Sequence, residues 1–376
     1  MRIALNARIL QAPRTGIGQY LVELIGALRD DPRIELELFH GWGWSTELPA
    51  ALPGYSRWAA LAKQLPGAYR LRRAFDQRHF DRCARHGGVQ LYHEPSLWPL
   101  QFAGPMVMTL HDLTHLHYPQ TQPADRLAEI ERRIGPALER AQCILTDSQF
   151  VADEIKRHYG VAAARLRVAP LGCAARFYPR EARDLRDGLA ALGLQPGAYL
   201  LCVGTLEPRK NLAQALRAHA LLPAATRARF PLVIAGMAGW RGEDFAGELR
   251  RGLAGGQVRL LGYQPDRQLA EVLAGARLLL FPSLYEGFGL PVLEAMASGV
   301  PVVLAPRAAL PEVAGEAGVY REPGDDRSWC EAILRLIEDP VEWQARRACG
   351  LQRARRFSWK RCATHTVAAY RQALEH

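Results

Sequence analysis

Lysine is nearly missing from this chain. Of its 48 basic residues only Lys63, Lys156, Lys210 and Lys360 are lysines, and arginine supplies the rest of a net charge of +10. A chain that uses arginine by default gives little meaning to one arginine and more to each lysine. Paired cysteines are missing too. The seven cysteines stand at 83, 143, 173, 202, 330, 349 and 362 with no Cys-x-x-Cys spacing. That excludes a zinc framework and a disulfide scaffold, and it fits a reducing cytoplasm. No apolar run approaches the roughly 20 residues a membrane-spanning helix needs. Met1-Arg2-Ile3 leads into a strand pattern and not a signal peptide. The positive charge comes without a zinc finger, an RNP-type sequence or a basic zipper. The expected anionic partner is therefore a phosphorylated ligand or a membrane surface, and not nucleic acid.

What is present is a strand–helix alternation, read twice. The 376 residues suffice for two domains, each with its own core. In the first half, strands are expected at Arg2–Ile9, Ile34–Phe39, Val89–Tyr92, Met106–Leu110 and Cys143–Thr146. Helices are expected at Gln19–Leu28, Ala124–Arg140 and Ser148–Tyr159. In the second half, strands read at Tyr199–Val203, Leu232–Ala235, Val258–Leu261, Leu278–Phe281 and Val302–Leu304. Helical patterns fall at Asn211–Leu222, Glu243–Leu253, Asp266–Ala274 and Pro291–Ser298, then around Trp343–Arg356 and at Trp359–Leu374. Short apolar strands separated by helices predict an α/β protein of two Rossmann-like, doubly wound parallel sheets. The expected domains are 1–175 and 190–356, with 357–376 a helix crossing back to the first domain; the boundary lies in the Pro- and Gly-rich stretch Ala169–Gly197.

Open parallel sheets bind ligands at the carboxyl ends of their strands. The richest such end is Ser283-Leu-Tyr-Glu286-Gly287-Phe288-Gly289-Leu290-Pro291-Val-Leu-Glu294. Gly287 and Gly289 let the backbone approach a ligand closely. Pro291 suits the start of a helix, and the amides near Gly287–Leu290 then favour a phosphate. Glu286 in the loop suits sugar hydroxyls, and Glu294 inside the helix suits a ribose. After an earlier strand comes Gly204-Thr-Leu-Glu-Pro-Arg209-Lys210-Asn211. Two cations there can neutralise a departing diphosphate, although a solvated basic loop reads the same way.

Other strand ends are weaker. Gly16 and Gly18 form a loop after the first strand, but the third glycine of a dinucleotide fingerprint is absent, since position 21 is Leu. His111 and Asp112 follow the strand Met106–Leu110, with His93, His115 and His117 nearby. No acidic set at ligand spacing accompanies them, and Asp30-Asp31 and Asp325-Asp326 read as turns, so no metal is expected. Tyr263, after Gly262, either lines a base pocket or is a strand-end aromatic. Ser148 reads first as a helix cap. Residues 57–85 interleave Arg78, Arg82 and other basic residues with Phe75, Phe80 and further aromatics. Such a stretch suits an anionic membrane surface, or a solvated helix pair.

The glutamates spaced by seven residues resemble the signature of glycosyltransferase family 4, retaining enzymes of GT-B fold. The resemblance continues through Gly204–Asn211, Thr15-Gly16-Ile17-Gly18, His111-Asp112 and Asp147-Ser148, so it spans most of the chain. Arg2–Tyr20 and Gly204–Asn211 most resemble bacterial O-antigen mannosyl- and D-rhamnosyltransferases. The resemblance implies two domains facing across a cleft, and a nucleotide-diphosphate sugar donor, GDP-linked mannose or D-rhamnose, without a cofactor. It further implies a polyprenyl-diphosphate-linked glycan acceptor at the inner face of a bacterial inner membrane. Glu286, Arg209, Lys210 and His111 would be catalytic, with His111 beside the transferred sugar. Glu294, Gly16, Gly18, Gly204, Gly287, Phe288, Gly289, Leu290 and Tyr263 would bind the donor. One departure is plain: the family's Pro-x-Gly-x-Asp is here Pro170-Leu-Gly-Cys-Ala174, without the aspartate. The alternatives are a sugar-nucleotide 2-epimerase of the same fold, a NAD-dependent dehydrogenase and a non-catalytic nucleotide-sugar binder.

Overall fold

A computed structural model describes residues 1–11, 16–41, 43–49, 68–86, 88–121, 124–237 and 245–375. Arg14, Thr15 and residues 57–67 of the basic stretch lie outside the described residues. The chain forms two compact units. One comprises Met1–Leu113, Ala124–Gly172 and Trp359–His376; the other comprises Thr114–Pro123 and Cys173–Ser358.

The first unit is built on β1 (Arg2–Asn6), β2 (Glu35–Phe39), β3 (Trp44–Ser45), β4 (Leu91–Glu94), β5 (Met106–Thr109), β6 (Cys143–Thr146) and β7 (Leu166–Val168). They pair in the order β3-β2-β1-β4-β5-β6-β7, parallel throughout except for the β2–β3 edge. Val107, Met108 and Ile144 are fully buried, as expected of strands covered on both faces. The helix Trp359–Glu375 closes this unit. Tyr370 places its hydroxyl 2.8 Å from His93 Nδ1, and Gln372 donates to the carbonyl of Ala164 at 2.7 Å.

The second unit holds β8 (Leu200–Val203), β9 (Leu232–Ala235), β10 (Val258–Gly262), β11 (Leu278–Phe281), β12 (Val302–Leu304) and β13 (Val319–Tyr320). All pairings are parallel, in the order β10-β9-β8-β11-β12-β13. Renumbered from β8, this is 3-2-1-4-5-6, the dinucleotide-binding order, whose strand sequence reverses between β8 and β11. Its core joins Leu200, Leu232, Leu278 and Val303 to the helix Asp326–Glu338 through fully buried Trp329.

Local chemistry explains several element ends. Ser148 caps the helix Gln149–Tyr159 by accepting from the Val151 amide, and Gly160 ends it at φ 65°. Ser148→Ala is expected to lower unfolding free energy by about 1 kcal/mol, read as a shifted urea midpoint at unchanged slope.

Expectations at two places are corrected. The first strand stops at Asn6, and the helix Gly16–Arg29 starts one turn earlier than its apolar pattern suggested. Gly16 and Gly18 thus lie in a helical turn and not in a loop: packing of Tyr20, Leu21, Leu24 and Ile25 outweighs the roughly 1 kcal/mol helix penalty of each glycine. Asp325 and Asp326 are not a turn pair. Asp325 caps the helix Asp326–Glu338 from the Ser328 amide, and Asp326 pairs with Arg217 at 2.9 Å. The boundary between the units falls between Gly172 and Cys173, inside the stretch Ala169–Gly197, which also contains the helix Ala182–Ala190 with Leu185 and Leu189 buried.

Candidate active site

The reversal point of the second sheet gathers the charged residues singled out above. The loop leaving β8 needs two glycines. Gly204 has φ 145°, and a Cβ added at Gly236 would lie 1.9 Å from the Gly204 carbonyl oxygen. The loop tightens into the short turn Pro208–Lys210 and ends at Asn211, which takes φ 51° and donates to the Pro282 carbonyl at 3.3 Å. The loop leaving β11 is tied to it by the Leu284 amide, which donates to the Arg209 carbonyl at 2.8 Å. Gly289, at φ 107°, caps the helix Leu290–Ala297, with Pro291 in its first turn.

These loops bring Arg209, Lys210 and Glu286 together. Lys210 Nζ lies 2.5 Å from Glu286 Oε1, and Arg209 Nη1 lies 3.1 Å from Glu286 Oε2. Arg209 also donates to the Tyr285 carbonyl at 2.9 Å and pairs with Glu207 at 2.8 Å. Glu286 is buried, at 8% exposure. Burial pushes its carboxyl up, but Lys210, Arg209 and hydrogen bonds from Lys210 and Ser283 prevail and hold it at about 2. It is an ionised acceptor at neutral pH and not a proton donor. Lys210 is shifted down, by burial first and then by Arg209, against the pull of Glu286 and Glu207.

Glu294 is buried in the second turn of its helix. Phe288 packs edge-on against Phe357 at 5.7 Å, so the Gly287–Leu290 segment offers a ligand backbone and not an aromatic ring. Tyr263 stands at the end of the edge strand β10, two strands from β8, apart from the Glu286 cluster. His117 and Tyr118 pack on Tyr285, with ring centroids 4.8 and 6.0 Å away.

In the first unit, His111 lies past the end of β5. Its Nδ1 is 2.7 Å from Asp147 Oδ2, its Nε2 is 3.2 Å from the Pro95 carbonyl oxygen, and Tyr20 packs edge-on at 4.7 Å. Both partners are acceptors, so both ring nitrogens must donate to satisfy them, which favours the imidazolium. Burial pulls the His111 pKa down, but Asp147 outweighs it and the net shift is upward. A raised histidine pKa stabilises the fold fully below the ordinary value near 6.5, and this support is lost as pH rises through the raised value. The stability of wild type relative to His111→Asn is therefore expected to fall from pH 6 to pH 9. Urea midpoints at each pH test this, and a constant difference would refute the charged state.

Sequence reasoning missed Glu207 and Ser283, which orient the Glu286 cluster. It also missed a buried carboxylate at the reversal point of the first sheet. Glu94, fully buried at the end of β4, accepts from Asn6 Nδ2 at 2.8 Å, from Ser96 Oγ at 2.5 Å and from the Tyr92 hydroxyl. Its one sequence signal is an acidic residue closing an apolar strand.

Two Rossmann-like sheets, the second with paired cations and a clamped glutamate at its reversal point, define a glycosyltransferase of GT-B fold. The family descriptions agree: Glycosyltransferase Family 4 matches residues 14–175, and Glycosyl transferases group 1 matches residues 192–356. The chain belongs to glycosyltransferase family 4. It is 35% identical over 379 residues to O-antigen chain mannosyltransferase B of Escherichia coli, covering 99% of this chain and 100% of that protein. Among solved structures it is similar to sucrose-phosphate synthase from Thermosynechococcus elongatus, with TM-score 0.75, 23% identity and coverage of 99% and 98% of the two chains. It is also similar to Anabaena HepE in complex with UDP and glucose, with TM-score 0.73, 17% identity and coverage of 99% of each chain.

Proposed function

We propose that this enzyme is a retaining, metal-independent mannosyltransferase. It moves D-mannose from GDP-mannose onto a polyprenyl-diphosphate-linked glycan in O-antigen synthesis. The carrying observation is the Lys210–Glu286–Arg209 cluster at the strand reversal, beside the Gly289-capped helix. The full-length likeness to an O-antigen mannosyltransferase supports the choice of sugar and pathway.

The donor diphosphate takes the place between Arg209, Lys210 and the Gly287–Leu290 amides. Glu286, kept ionised, accepts hydrogen bonds from the hydroxyls of the mannose. The bond from the anomeric carbon to the phosphate oxygen breaks as the cations absorb the charge of the leaving diphosphate. The acceptor hydroxyl attacks the same face, and its proton passes to the leaving phosphate oxygen. Glu294 holds the ribose, and the family resemblance assigns His111 to the transferred sugar. No residue of the cluster needs a metal to neutralise the leaving group. The cytoplasmic face of the inner membrane is the proposed location. Among the described residues no helix is long and apolar enough to cross a membrane. Half-exposed Phe75, with Arg78 and Arg82 in the helix Ala68–His86, supports peripheral contact.

A thermal-shift series with GDP, UDP, ADP and dTDP should give its largest rise with GDP, about 2.7 kcal/mol at a hundredfold excess over Kd. Transfer from GDP-mannose should persist in EDTA and give an α-linked product by NMR. Preference for GDP-D-rhamnose, inversion, or free epimerised sugar formed without acceptor would each overturn a stated part of the proposal.

A further inference from the structure

The second unit carries a cavity of about 380 Å³ at the opposite end of its sheet from the Glu286 cluster. Its lining residues Gly197, Arg277 and Val300 precede β8, β11 and β12, whereas the proposed donor site lies where β8 and β11 end. Strands of three and four residues, roughly 10–13 Å long, separate the two places. The volume is in the range of small-molecule sites.

The balance of donors and acceptors around this cavity is one-sided. Three arginines line it, Arg180, Arg277 and Arg347, against one lining carboxylate, Glu181, which is exposed; Arg180 also pairs with Glu271 at 3.7 Å and donates to the Arg176 carbonyl at 3.0 Å. Ser298 also lines it; the residue is 4% exposed, and its buried hydroxyl has no hydrogen-bond partner among the described residues. The buried Nε–H groups of Arg180 and Arg277 are likewise without partners there. The guanidinium of Arg347 lies against Gly299, where an added Cβ would sit 3.0 Å from its Nε.

A simpler reading is that these arginines only cap helix C-termini. Several acceptors at the helix ends nearest the cavity already receive backbone amides. Ser298, Gly299 and Val300 donate their amides to Glu294, Met296 and Ala295, and Gly275 and Ala276 donate to Glu271 and Leu273. Arg277 Nη2 does cap one helix, donating to Leu336 and Ile337 at the end of Asp326–Glu338, which leaves its Nε–H over. What remains over is the Ser298 hydroxyl, the Nε–H groups of Arg180 and Arg277, and the charge of Arg347, Arg180 being partly balanced by Glu271.

We propose that this cavity is a binding site for a phosphate group, held by Arg347 with Ser298 and the Nε–H groups of Arg180 and Arg277. The phosphate belongs either to a free ion or to a lipid headgroup, and one experiment separates the two. Isothermal titration with inorganic phosphate is run on wild type, Arg347→Ala, Arg347→Gln, Ser298→Ala and Lys210→Ala, each checked for native circular dichroism. Saturable binding should survive Lys210→Ala, weaken about fivefold in Ser298→Ala and weaken tenfold or more in both Arg347 variants. Co-sedimentation with phosphatidylglycerol and phosphatidylcholine vesicles forms the second arm. Phosphatidylglycerol binding lost on Arg347→Ala assigns a headgroup, and phosphate binding without it assigns a free ion. Absence of both, binding abolished only by Lys210→Ala, or binding indifferent to Arg347, overturns the site.

Discussion

Lys210→Ala should lower kcat by roughly a hundred- to a thousandfold, the loss expected when one preorganised charge at a leaving group is removed. The fold should survive, because Glu286 keeps Arg209 as a partner at 3.1 Å. The loss should fall mainly on kcat. In the resting site Glu286 already holds both cations, so binding a diphosphate exchanges one anion for another and adds little net attraction. Only when the glycosidic oxygen acquires full charge does the ammonium gain. Lys210→Arg should restore little. The lysine stem runs along Gly204, where an added Cβ would already lie 3.4 Å from Lys210 Cε, and a planar guanidinium cannot reproduce the compact point charge beside Glu286. Turnover at saturating donor is the measurement, and activity within threefold of wild type would remove Lys210 from the mechanism.

That lysine was legible in the sequence for a physical reason. Both loops of the cluster follow strands buried on both faces, and such strands read as continuous apolar runs with abrupt polar ends: Leu278–Phe281 before Ser283, and Leu200–Val203 before Gly204. Whatever polar residue follows such a run stands at the ligand edge of the sheet. The bonding within the edge was not legible. Glu286 read as an acceptor for sugar hydroxyls, yet in the folded chain its oxygens hold Lys210 and Arg209. Glu207 and Ser283, which complete that arrangement, stand close in sequence to their partners Arg209 and Glu286, but a polar pair at such short spacing in a loop carries no distinctive signal. Edge strands such as β7 and β13, of three and two residues, are too short to show a period. The segment 114–123 follows His111 closely in sequence but packs with the second unit, where His117 and Tyr118 cover Tyr285. No local pattern encodes a chain that leaves one unit for ten residues and returns.

Glu286→Ala should abolish transfer, by a thousandfold or more, and should also destabilise the protein. Lys210 and Glu286 have side chains only 13% and 10% exposed, so removing the carboxylate leaves a poorly hydrated ammonium without its counter-charge. The expected cost is about 3 kcal/mol, at the low end for a broken buried pair because Arg209 retains Glu207. Stability loss alone could then mimic catalytic loss, and a double substitution separates them. Glu286→Gln combined with Lys210→Met removes charge and counter-charge together, so its urea midpoint should lie above the sum of the single effects. Its turnover should remain as low as that of Glu286→Ala. Recovery of both would mean that the cluster merely supports the fold; recovery of stability alone assigns the Lys210–Glu286 pair to the reaction. The pH dependence gives an independent reading. A carboxyl held at about 2, below its ordinary 4.5, stabilises the fold above 4.5, and that contribution drains away as pH falls towards 2. The stability gap between wild type and Glu286→Gln should therefore be widest above pH 5 and narrow steadily towards pH 2. A gap that is flat across that window would place the carboxylate in water and undo the clamp on which both of its assigned tasks depend.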